Sequence, residues 1–184
     1  MGLRVTGGAF KGRRLCTPRG PGTRPMTERV RKALFDILGE SLCGARVLDL
    51  FSGSGALGFE ALSRGASEVV FVEASREASR TIRKNARTLG LEDRVHLVQG
   101  RLPEVLKKVP PGPYHLVFLT PPYGKGLGEE TLAALPLEIL ALEARIVLEE
   151  RKTSQVKIKK PALEIEEIRR YGDTWLYFLR VRRG

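Results

Sequence analysis

The sequence predicts a doubly wound α/β fold, in which helices cover both faces of a mostly parallel sheet. Three observations predict it: short apolar strands alternate with helices from residue 46 onward, a glycine-rich turn follows the first of these strands, and two strand-like segments joined by a short turn end the chain. The alternation is typical of β-α-β units. A short connection between strands requires an antiparallel pair, so we expect a reversed C-terminal strand.

The residues that precede this alternation predict a basic appendage. Residues 3–8 and 11–17 are strand-like and flank a glycine-rich turn, and a loop rich in proline and glycine follows through residue 25. We therefore expect residues 1–25 to form a short basic β-hairpin with its loop, and residues 26–184 to form the main domain.

A helix follows the loop, with Thr27 in position to cap its N-terminus and Leu38 near its end. Its apolar residues share one face and are Val30, Ala33, Leu34, Ile37 and Leu38. On such a helix Arg29, Arg31 and Lys32 would point away from the core, beside the basic loop.

From residue 46 the chain divides into short alternating segments. The expected strands are residues 47–50, 68–73, 95–98, 116–119 and 145–148. The expected helices run from the glycine turn to residue 62 and over residues 76–89, 103–108 and 129–140. The closing antiparallel pair is expected at residues 163–169 and 175–181, joined by Tyr171, Gly172 and Asp173.

The chain is strongly basic, and its charge is unevenly distributed. Its 184 residues carry 32 Lys and Arg against 21 Asp and Glu, which gives a net charge of +11. Residues 1–46 hold ten basic and three acidic side chains, so seven of these charges lie in the first quarter. The guanidinium group of arginine matches the geometry of phosphate oxygens and stacks on bases. The excess of basic side chains in residues 1–46 therefore favours a nucleic acid as partner over a merely solvated basic surface.

Several protein classes are excluded. No run of 18 apolar residues exists, which excludes a membrane span, and the N-terminus lacks the apolar region of a signal peptide. Cys16 and Cys43 lack the spacing of zinc ligands and are expected to be reduced thiols, and His96 and His115 are expected to be structural. We therefore expect a cytoplasmic protein that binds no metal.

The glycine turn carries the first chemical motif, Asp49-Leu50-Phe51-Ser52-Gly53-Ser54-Gly55-Ala56-Leu57-Gly58, and Glu73 ends the next strand. Glycines let a backbone approach a ligand closely. The pattern also fits a dinucleotide fingerprint. A carboxylate at Asp49, however, suits the ammonium and sulfonium groups of S-adenosylmethionine better than a pyrophosphate, and Glu73 can accept hydrogen bonds from two ribose hydroxyls. The candidate cofactor-binding residues are Asp49, Phe51, Ser52, Gly53, Ser54, Gly55, Glu73 and Arg101.

A second motif, Thr120-Pro121-Pro122-Tyr123-Gly124, directly follows the apolar strand at residues 116–119. Two prolines fix the backbone and lack N–H donors, so their carbonyl oxygens can face a ligand. The Tyr123 ring can stack on a base. Ligands of open α/β sheets bind beyond the carboxyl ends of the strands, where this motif lies. The candidate catalytic residues are Thr120, Pro121, Pro122 and Tyr123.

These motifs resemble those of a known family. DLFSGSGALGFEALSRGA with a following PPY is similar to class I methyltransferases that modify the exocyclic amines of bases. More closely, the segments GGAFKGRRL, RPMTERVRKALFDIL and RRYGDTWL resemble the bacterial small-subunit rRNA (guanine-N2)-methyltransferase family, RsmD. The resemblance spans almost the whole chain and implies a Rossmann-like methyltransferase sheet.

The resemblance also implies an activity and its partners. The reaction would transfer a methyl group from S-adenosylmethionine to guanine N2 in 16S rRNA, either free or in an assembling small ribosomal subunit. Separately from the resemblance, we expect a monomer. The basic side chains that would hold RNA phosphates are Arg13, Arg14, Arg24, Arg29 and Arg31.

Two positions depart from the family pattern. Thr120 stands where the family has Asp or Asn before Pro-Pro-Tyr, and Gly100 and Arg101 stand where related enzymes often have an acid or amide near the adenine. A hydroxyl is neutral, and charge-assisted hydrogen bonds are about twice as strong as neutral ones. The main alternative is therefore an RNA-binding or ribosome-assembly protein with weak or no catalysis. A DNA or protein amine methyltransferase and an NAD-dependent oxidoreductase are further alternatives.

Overall fold

The computed structural model describes residues 2–20 and 25–182, which contain one sheet of seven strands in the order β3-β2-β1-β4-β5-β7-β6. The strands are β1 (Arg46–Leu50), β2 (Glu68–Glu73), β3 (Val95–Gln99), β4 (Tyr114–Leu119), β5 (Leu140–Arg151), β6 (Leu163–Tyr171) and β7 (Thr174–Val181). The α-helices of these residues are α1 (Glu28–Leu38), α2 (Ala56–Ser63), α3 (Arg76–Leu89) and α4 (Leu127–Ala134).

Strands β1 to β5 pair in parallel, and β7 runs antiparallel to both β5 and β6. This arrangement confirms the predicted doubly wound sheet with a reversed C-terminal strand. Gly172 and Asp173 form the two-residue loop between β6 and β7, and Gly172 has a φ of +59°. A glycine with positive φ at the first central position matches the twist that such a hairpin needs.

The strand order changes direction between β1 and β4, because the chain builds outward from β1 to β3 and then returns to β4 on the other side. Loops that follow β1 and β4 therefore leave the sheet side by side at its carboxyl edge. Open α/β sheets bind ligands in the crevice at such a switch point.

Most of the predicted boundaries agree with the structure, and the fourth helix is the main exception. It was expected over residues 129–140 but ends at Ala134. Pro136 follows, and a proline removes a helical N–H donor. Strand β5 then starts at Leu140 and is 12 residues long, well beyond the predicted residues 145–148. The short helix expected at residues 103–108 is a 3-10 turn, Glu104–Lys108.

Apolar side chains fill both faces of the sheet. One core, which includes Phe35 of α1 and Phe59 of α2, packs against Phe71 and Phe118. The other core includes Leu132 of α4. Both faces are therefore covered, as expected for parallel strands. The helices of residues 2–20 and 25–182 are all too short or too polar to cross a lipid bilayer.

Helix α1 begins as predicted, because the Thr27 hydroxyl accepts a hydrogen bond from the N–H of Val30 at 3.3 Å. The prediction that Arg31 points away from the core is wrong. Its side chain is 1 % exposed and donates from Nη2 to the carbonyl oxygen of Arg4 at 2.5 Å. Burial lowers the pKa of Arg31. The N-terminal segment therefore covers a side of α1 that was expected to face solvent.

The N-terminal segment pairs with itself less than predicted. It forms a single isolated antiparallel bridge between Arg4 and Arg14, flanked by backbone hydrogen bonds from Val5 to Arg13 at 3.0 Å, from Leu15 to Leu3 at 2.9 Å and from Gly12 to Val5 at 2.8 Å. Neither predicted strand is formed within residues 2–20. Val5 and Leu15 are buried in the core that contains α1 and α2. The division of the chain near residue 25 stays a prediction.

Candidate active site

Three predicted segments meet at the carboxyl edge of the sheet. The Thr120 hydroxyl donates to the carbonyl oxygen of Phe51 at 3.2 Å, and the Thr120 N–H lies 3.4 Å from the carbonyl oxygen of Leu50. Toward the other neighbouring strand, the N–H of Gly53 donates to Oε2 of Glu73 at 2.7 Å. The glycine turn is thus hydrogen-bonded to the segments that follow β4 and end β2, and the three form one site.

The carboxylate of Glu73 is held by backbone amides from two segments. Gly53 donates to Oε2 at 2.7 Å, and Ser75 donates to Oε1 at 2.9 Å. Each carboxylate oxygen has about two lone-pair directions, so both oxygens keep the capacity to accept from a ligand. Because charge-assisted bonds to N–H groups fix the carboxylate, its position is set before a ligand binds.

A cavity of about 370 Å³ lies beside this carboxylate. It unites Phe51, Glu73 and Arg101 of the predicted cofactor site with Pro122 of the second motif. Its lining residues are Phe51, Val72, Glu73, Ala74, Gly100, Arg101, Leu102, Pro122 and Leu127. Mostly apolar walls with one fixed carboxylate suit a ligand that combines a flat ring with hydroxyl groups.

Asp49 lies inside β1 and is 1 % exposed. Its Oδ2 accepts a hydrogen bond from the N–H of Gly58 at 3.1 Å, in the first turn of α2, whereas its buried Oδ1 has no hydrogen-bond partner within residues 2–20 and 25–182. Burial raises the pKa of Asp49 well above its usual range. An unpartnered buried carboxylate oxygen is costly, and a cationic ligand group would satisfy it. The expected role of Asp49 toward a cofactor stays a prediction.

The serines of the turn hold it in place. The Ser52 hydroxyl donates to the carbonyl oxygen of Asp49 at 2.6 Å and accepts from the N–H of Val72 at 3.0 Å, so it ties β1 to β2. The carbonyl oxygen of Ser54 accepts from Nδ2 of Asn85 at 3.1 Å. These contacts fix the shape of the turn, and direct contacts of Ser52 and Ser54 with a cofactor stay predictions.

Two glycines bring α2 close to β2. A Cβ atom on Gly58 would lie 2.3 Å from the Phe71 ring of β2, and one on Gly55, where φ is +81°, would lie 2.7 Å from the Phe59 ring of α2 and 3.1 Å from the Phe71 ring. No larger residue fits without movement of these rings. Phe51 also has a positive φ, +60°, which is uncommon for a residue other than glycine and indicates that the turn is constrained.

Tyr123 is fixed by two contacts. Its hydroxyl donates to the carboxylate of Glu149. The Arg151 guanidinium lies 5.1 Å from the centre of its ring. Burial and the Glu149 carboxylate raise the pKa of Tyr123, so it stays a neutral phenol. Because Arg151 covers one face of the ring, the predicted stacking of a base is restricted to the opposite face.

Glu149 is a site residue that the sequence prediction missed. It is 3 % exposed, on β5, and burial raises the pKa of its carboxyl. Its neighbour Glu150 is 5 % exposed and accepts from the N–H of Arg151 at 3.0 Å. The signal in the sequence is a pair of acids directly after the apolar run Ile146–Leu148, a pattern that a solvated strand end would share.

A second cavity, of about 500 Å³, lies on the other side of the Pro-Pro-Tyr motif. Tyr123 lines this cavity, whereas Pro122 lines the smaller one, so the motif separates the two. Three cationic side chains, Arg29, Arg151 and Lys152, also line the larger cavity. Its other lining residues are Pro25, Met26, Thr27, Val30, Thr153, Tyr171, Gly172, Asp173 and Thr174.

Comparison with known proteins agrees with this arrangement. The family model described as Conserved hypothetical protein 95 matches residues 3–180. The chain belongs to this family. Among its curated relatives, the Ribosomal RNA small subunit methyltransferase D of Escherichia coli is 40 % identical over 133 residues, which cover 72 % of the chain and 66 % of that protein. The chain thus spans just under two thirds of that relative's length.

Further members and solved structures extend the match. The protein of the same name from Haemophilus influenzae is 34 % identical over 135 residues, which cover 72 % of the chain and 70 % of that protein. The solved structure of yhhF from Escherichia coli has a TM-score of 0.83 and 34 % identity, and the match covers 99 % of both chains. The Thermus thermophilus protein TTHA0928 has a TM-score of 0.76 and 32 % identity, over 96 % of this chain and 98 % of that one. The resemblance to the RsmD family is confirmed.

In this member of the family described as Conserved hypothetical protein 95, the arginines predicted to bind RNA differ in how far they are exposed. Arg13, Arg14 and Arg29 are exposed, and Arg29 lines the larger cavity. Arg31 is buried and cannot reach a phosphate, so its assignment to RNA binding is wrong. Arg24 lies outside the described residues. Contacts of the exposed arginines with RNA stay predictions.

Proposed function

We propose that this chain is an S-adenosylmethionine-dependent methyltransferase that modifies the exocyclic N2 amine of a guanine in 16S rRNA. The observation that carries the proposal is the pair of cavities separated by Pro122 and Tyr123, one with a fixed carboxylate and one with basic walls. Group transfer requires two ligands to meet at one point, and these cavities adjoin at the motif. The curated relatives, which are named as rRNA methyltransferases, support the reaction and the substrate class.

The smaller cavity fits S-adenosylmethionine on two observations. The Glu73 carboxylate, already held by two N–H groups, keeps lone pairs for the two ribose hydroxyls. The second observation is the unpartnered Oδ1 of Asp49, which is buried and lies outside the residues that line the cavity, and which would offer its negative charge to an ammonium group that reached past them. When bound, S-adenosylmethionine supplies a methyl group made electrophilic by its positively charged sulfur. Arg101 and Leu102 form a wall of the cavity beside Glu73.

The residues after β4 orient the target amine. Guanine N2 is a poor nucleophile, because its lone pair is delocalised into the ring. The Thr120 hydroxyl hydrogen points to Phe51, so its oxygen lone pairs are left to accept from the amine, together with the Pro121 carbonyl. These acceptors favour a pyramidal nitrogen and hold it for reaction at about 3–3.5 Å from the methyl carbon.

The larger cavity suits a base that has left its stack. A flipped base needs a pocket with an aromatic or apolar wall, and Tyr123, Met26 and Val30 provide one. Arg29, Arg151 and Lys152 can bind the flanking phosphates. An assembly protein without catalysis is not favoured, because the curated relatives are named as methyltransferases.

A labelled-methyl assay tests the proposal. The protein, S-adenosylmethionine labelled in its methyl group and 16S rRNA from an undermethylated strain should yield labelled N2-methylguanosine. Thr120→Asp should retain or raise the rate, because a carboxylate is a stronger acceptor, and Thr120→Val should lower it about tenfold by removal of one hydrogen bond. rRNA binding without label would support the assembly protein, and label on DNA or on another base would contradict the guanine assignment.

A further inference from the structure

The exposed N-terminal segment lies along helix α3. Nη2 of Arg13 donates to the carbonyl oxygen of Thr88 at 3.1 Å, near the end of the helix. The N–H of Cys16 donates to Oδ1 of Asn85 at 2.7 Å. Contacts to α3 thus move toward its N-terminus as residue numbers in the segment rise, so residues 13–16 and α3 run antiparallel and share one surface.

Helix α3 presents a basic face beside that segment. Its apolar side, with Ala78, Ile82, Ala86 and Leu89, is buried. Its exposed side carries five basic residues spaced at helical intervals, which are Arg76, Arg80, Arg83, Lys84 and Arg87. With a rise of about 1.5 Å per residue, this row is about 16 Å long.

The charge of this face is not balanced by neighbouring acids. The one acid of α3, Glu77, accepts from the N–H of Arg19 at 3.4 Å, and Arg87 contacts the exposed Glu92 at 3.4 Å. Arg80, Arg83 and Lys84 take part in no ion pair within residues 2–20 and 25–182. Outside residues 1–46 and α3, the chain carries 17 basic and 17 acidic residues, so the whole net charge resides in these two regions.

We propose that the exposed face of α3 and the adjoining residues 13–19 form one surface that binds the phosphate backbone of RNA. The identity of the RNA as substrate rests on the proposed function. Helix α3 begins three residues after Glu73, so its row of basic residues starts near the smaller cavity and leads away from it. The surface therefore begins on the side of the site where the smaller cavity lies.

Charge and polarity favour RNA over a protein partner. Stable protein interfaces have apolar or aromatic residues at their centre. The large apolar residues exposed within the described parts of the chain are Leu142 and Ile165, which lie on β5 and β6 and not on α3. Arginine-rich surfaces without apolar residues bind phosphates through charge and release of counterions.

A triple substitution tests the surface. Arg80→Gln, Arg83→Gln and Lys84→Gln together remove three charges and keep residues that favour helices. The matched control is Lys107→Gln, Lys108→Gln and Lys157→Gln, which removes three exposed charges elsewhere. The measurements are the Kd for deproteinised 16S rRNA across a series of salt concentrations, the Kd for S-adenosylmethionine and the thermal midpoint of unfolding.

We expect the α3 variant to bind rRNA about tenfold or more weakly at about 0.1 M salt, with a slope of log K against log salt reduced by about two. Its cofactor affinity and thermal midpoint should match the wild type, and the control should shift the rRNA Kd less than threefold. An unchanged slope, or equal losses in both variants, would overturn the surface. A reduced slope in a protein that transfers no methyl group would support the surface and contradict the proposed function alone.

Discussion

The two cavities beside the Pro-Pro-Tyr motif are built from different chemical groups. In the smaller cavity, one carboxylate, that of Glu73, is fixed by two backbone N–H groups. In the larger cavity, three cationic groups lie at the ends of long side chains, those of Arg29, Arg151 and Lys152, and Lys152 forms an ion pair with Asp173 at 3.0 Å. The smaller cavity is thus marked by a carboxylate that the backbone fixes, with Arg101 also in its lining, whereas the larger cavity is marked by cations on flexible side chains.

This difference predicts different responses to substitution. A ligand held by one preorganised group loses most of its binding energy when that group changes, because little else can replace it. A ligand held by several flexible cations loses a small part with each change, and added salt screens what remains. Tyr123 lies between the two cavities, and its position depends on the hydrogen bond to Glu149. A change at Tyr123 should therefore affect both cavities.

The largest expected effect is in the smaller cavity. Glu73→Gln would turn an NH2 group toward one of the two backbone N–H donors, so the turn and the carboxamide could not both keep their hydrogen bonds. We expect the Kd for S-adenosylmethionine to rise at least 100-fold, or about 2.7 kcal/mol. Calorimetry measures the change, and Glu92→Gln, an exposed site, is the control. A change of less than threefold would show that the carboxylate does not hold the cofactor.

The next largest expected effect is on stability, through Tyr123 between the two cavities. Tyr123→Phe would leave the buried carboxylate of Glu149 without its hydroxyl donor and should lower the free energy of unfolding by about 1–3 kcal/mol. Because burial raises the pKa of Glu149 in the folded protein, its contribution to stability is present at low pH and is lost as pH rises through that pKa. The penalty of Tyr123→Phe should therefore be larger at high pH.

Glu149→Gln added to Tyr123→Phe should recover part of the loss, because the amide carries no charge. Urea denaturation of the two single variants and the double variant gives the coupling between the residues. Additive losses would mean that the hydroxyl and the carboxylate do not interact in solution.

The smallest expected effect near neutral pH is on cofactor affinity through Asp49. Burial raises its pKa, and an ammonium group prefers the ionised carboxylate, so affinity should fall on acidification from a higher pH than an ordinary aspartate would give. The decrease should approach about tenfold per pH unit below that pKa. Calorimetry across a pH series measures it, and Asp49→Asn should be weaker at every pH with no such slope. A wild-type profile parallel to that of Asp49→Asn would exclude Asp49 as the titrating group.

The smaller cavity was more predictable from sequence than the larger one, for a physical reason. Its groups lie in contiguous motifs at strand ends, and parallel strands bring their carboxyl ends to one edge. The larger cavity gathers Arg29 from α1, Arg151 from β5 and Thr174 from β7. Arg151 and Thr174 meet only through the antiparallel register of β5 and β7, which no local pattern contains.

The residues whose positions the sequence prediction gets wrong are also explained by contacts between distant parts of the chain. The helical pattern predicts one buried face of α1 and so places Arg31 at the surface, but the N-terminal segment covers a second face. Glu149 follows the apolar run Ile146–Leu148 as a solvated acid would, and only its hydrogen bond with Tyr123 shows why it is buried. The sequence prediction places Leu140 in the preceding helix and starts the strand at residue 145, whereas β5 starts at Leu140.

Few single substitutions are expected to be tolerated at Asn85. Its side chain, 1 % exposed, accepts from the N–H of Cys16 and donates to the carbonyl oxygens of Cys16 and Ser54. Aspartate has nearly the same shape but would place an oxygen against both carbonyls, and leucine would leave three backbone groups without partners. A carboxamide of this length is therefore the only common side chain that joins the N-terminal segment to the glycine turn in this way, and a substitution at position 85 would require compensating changes in both.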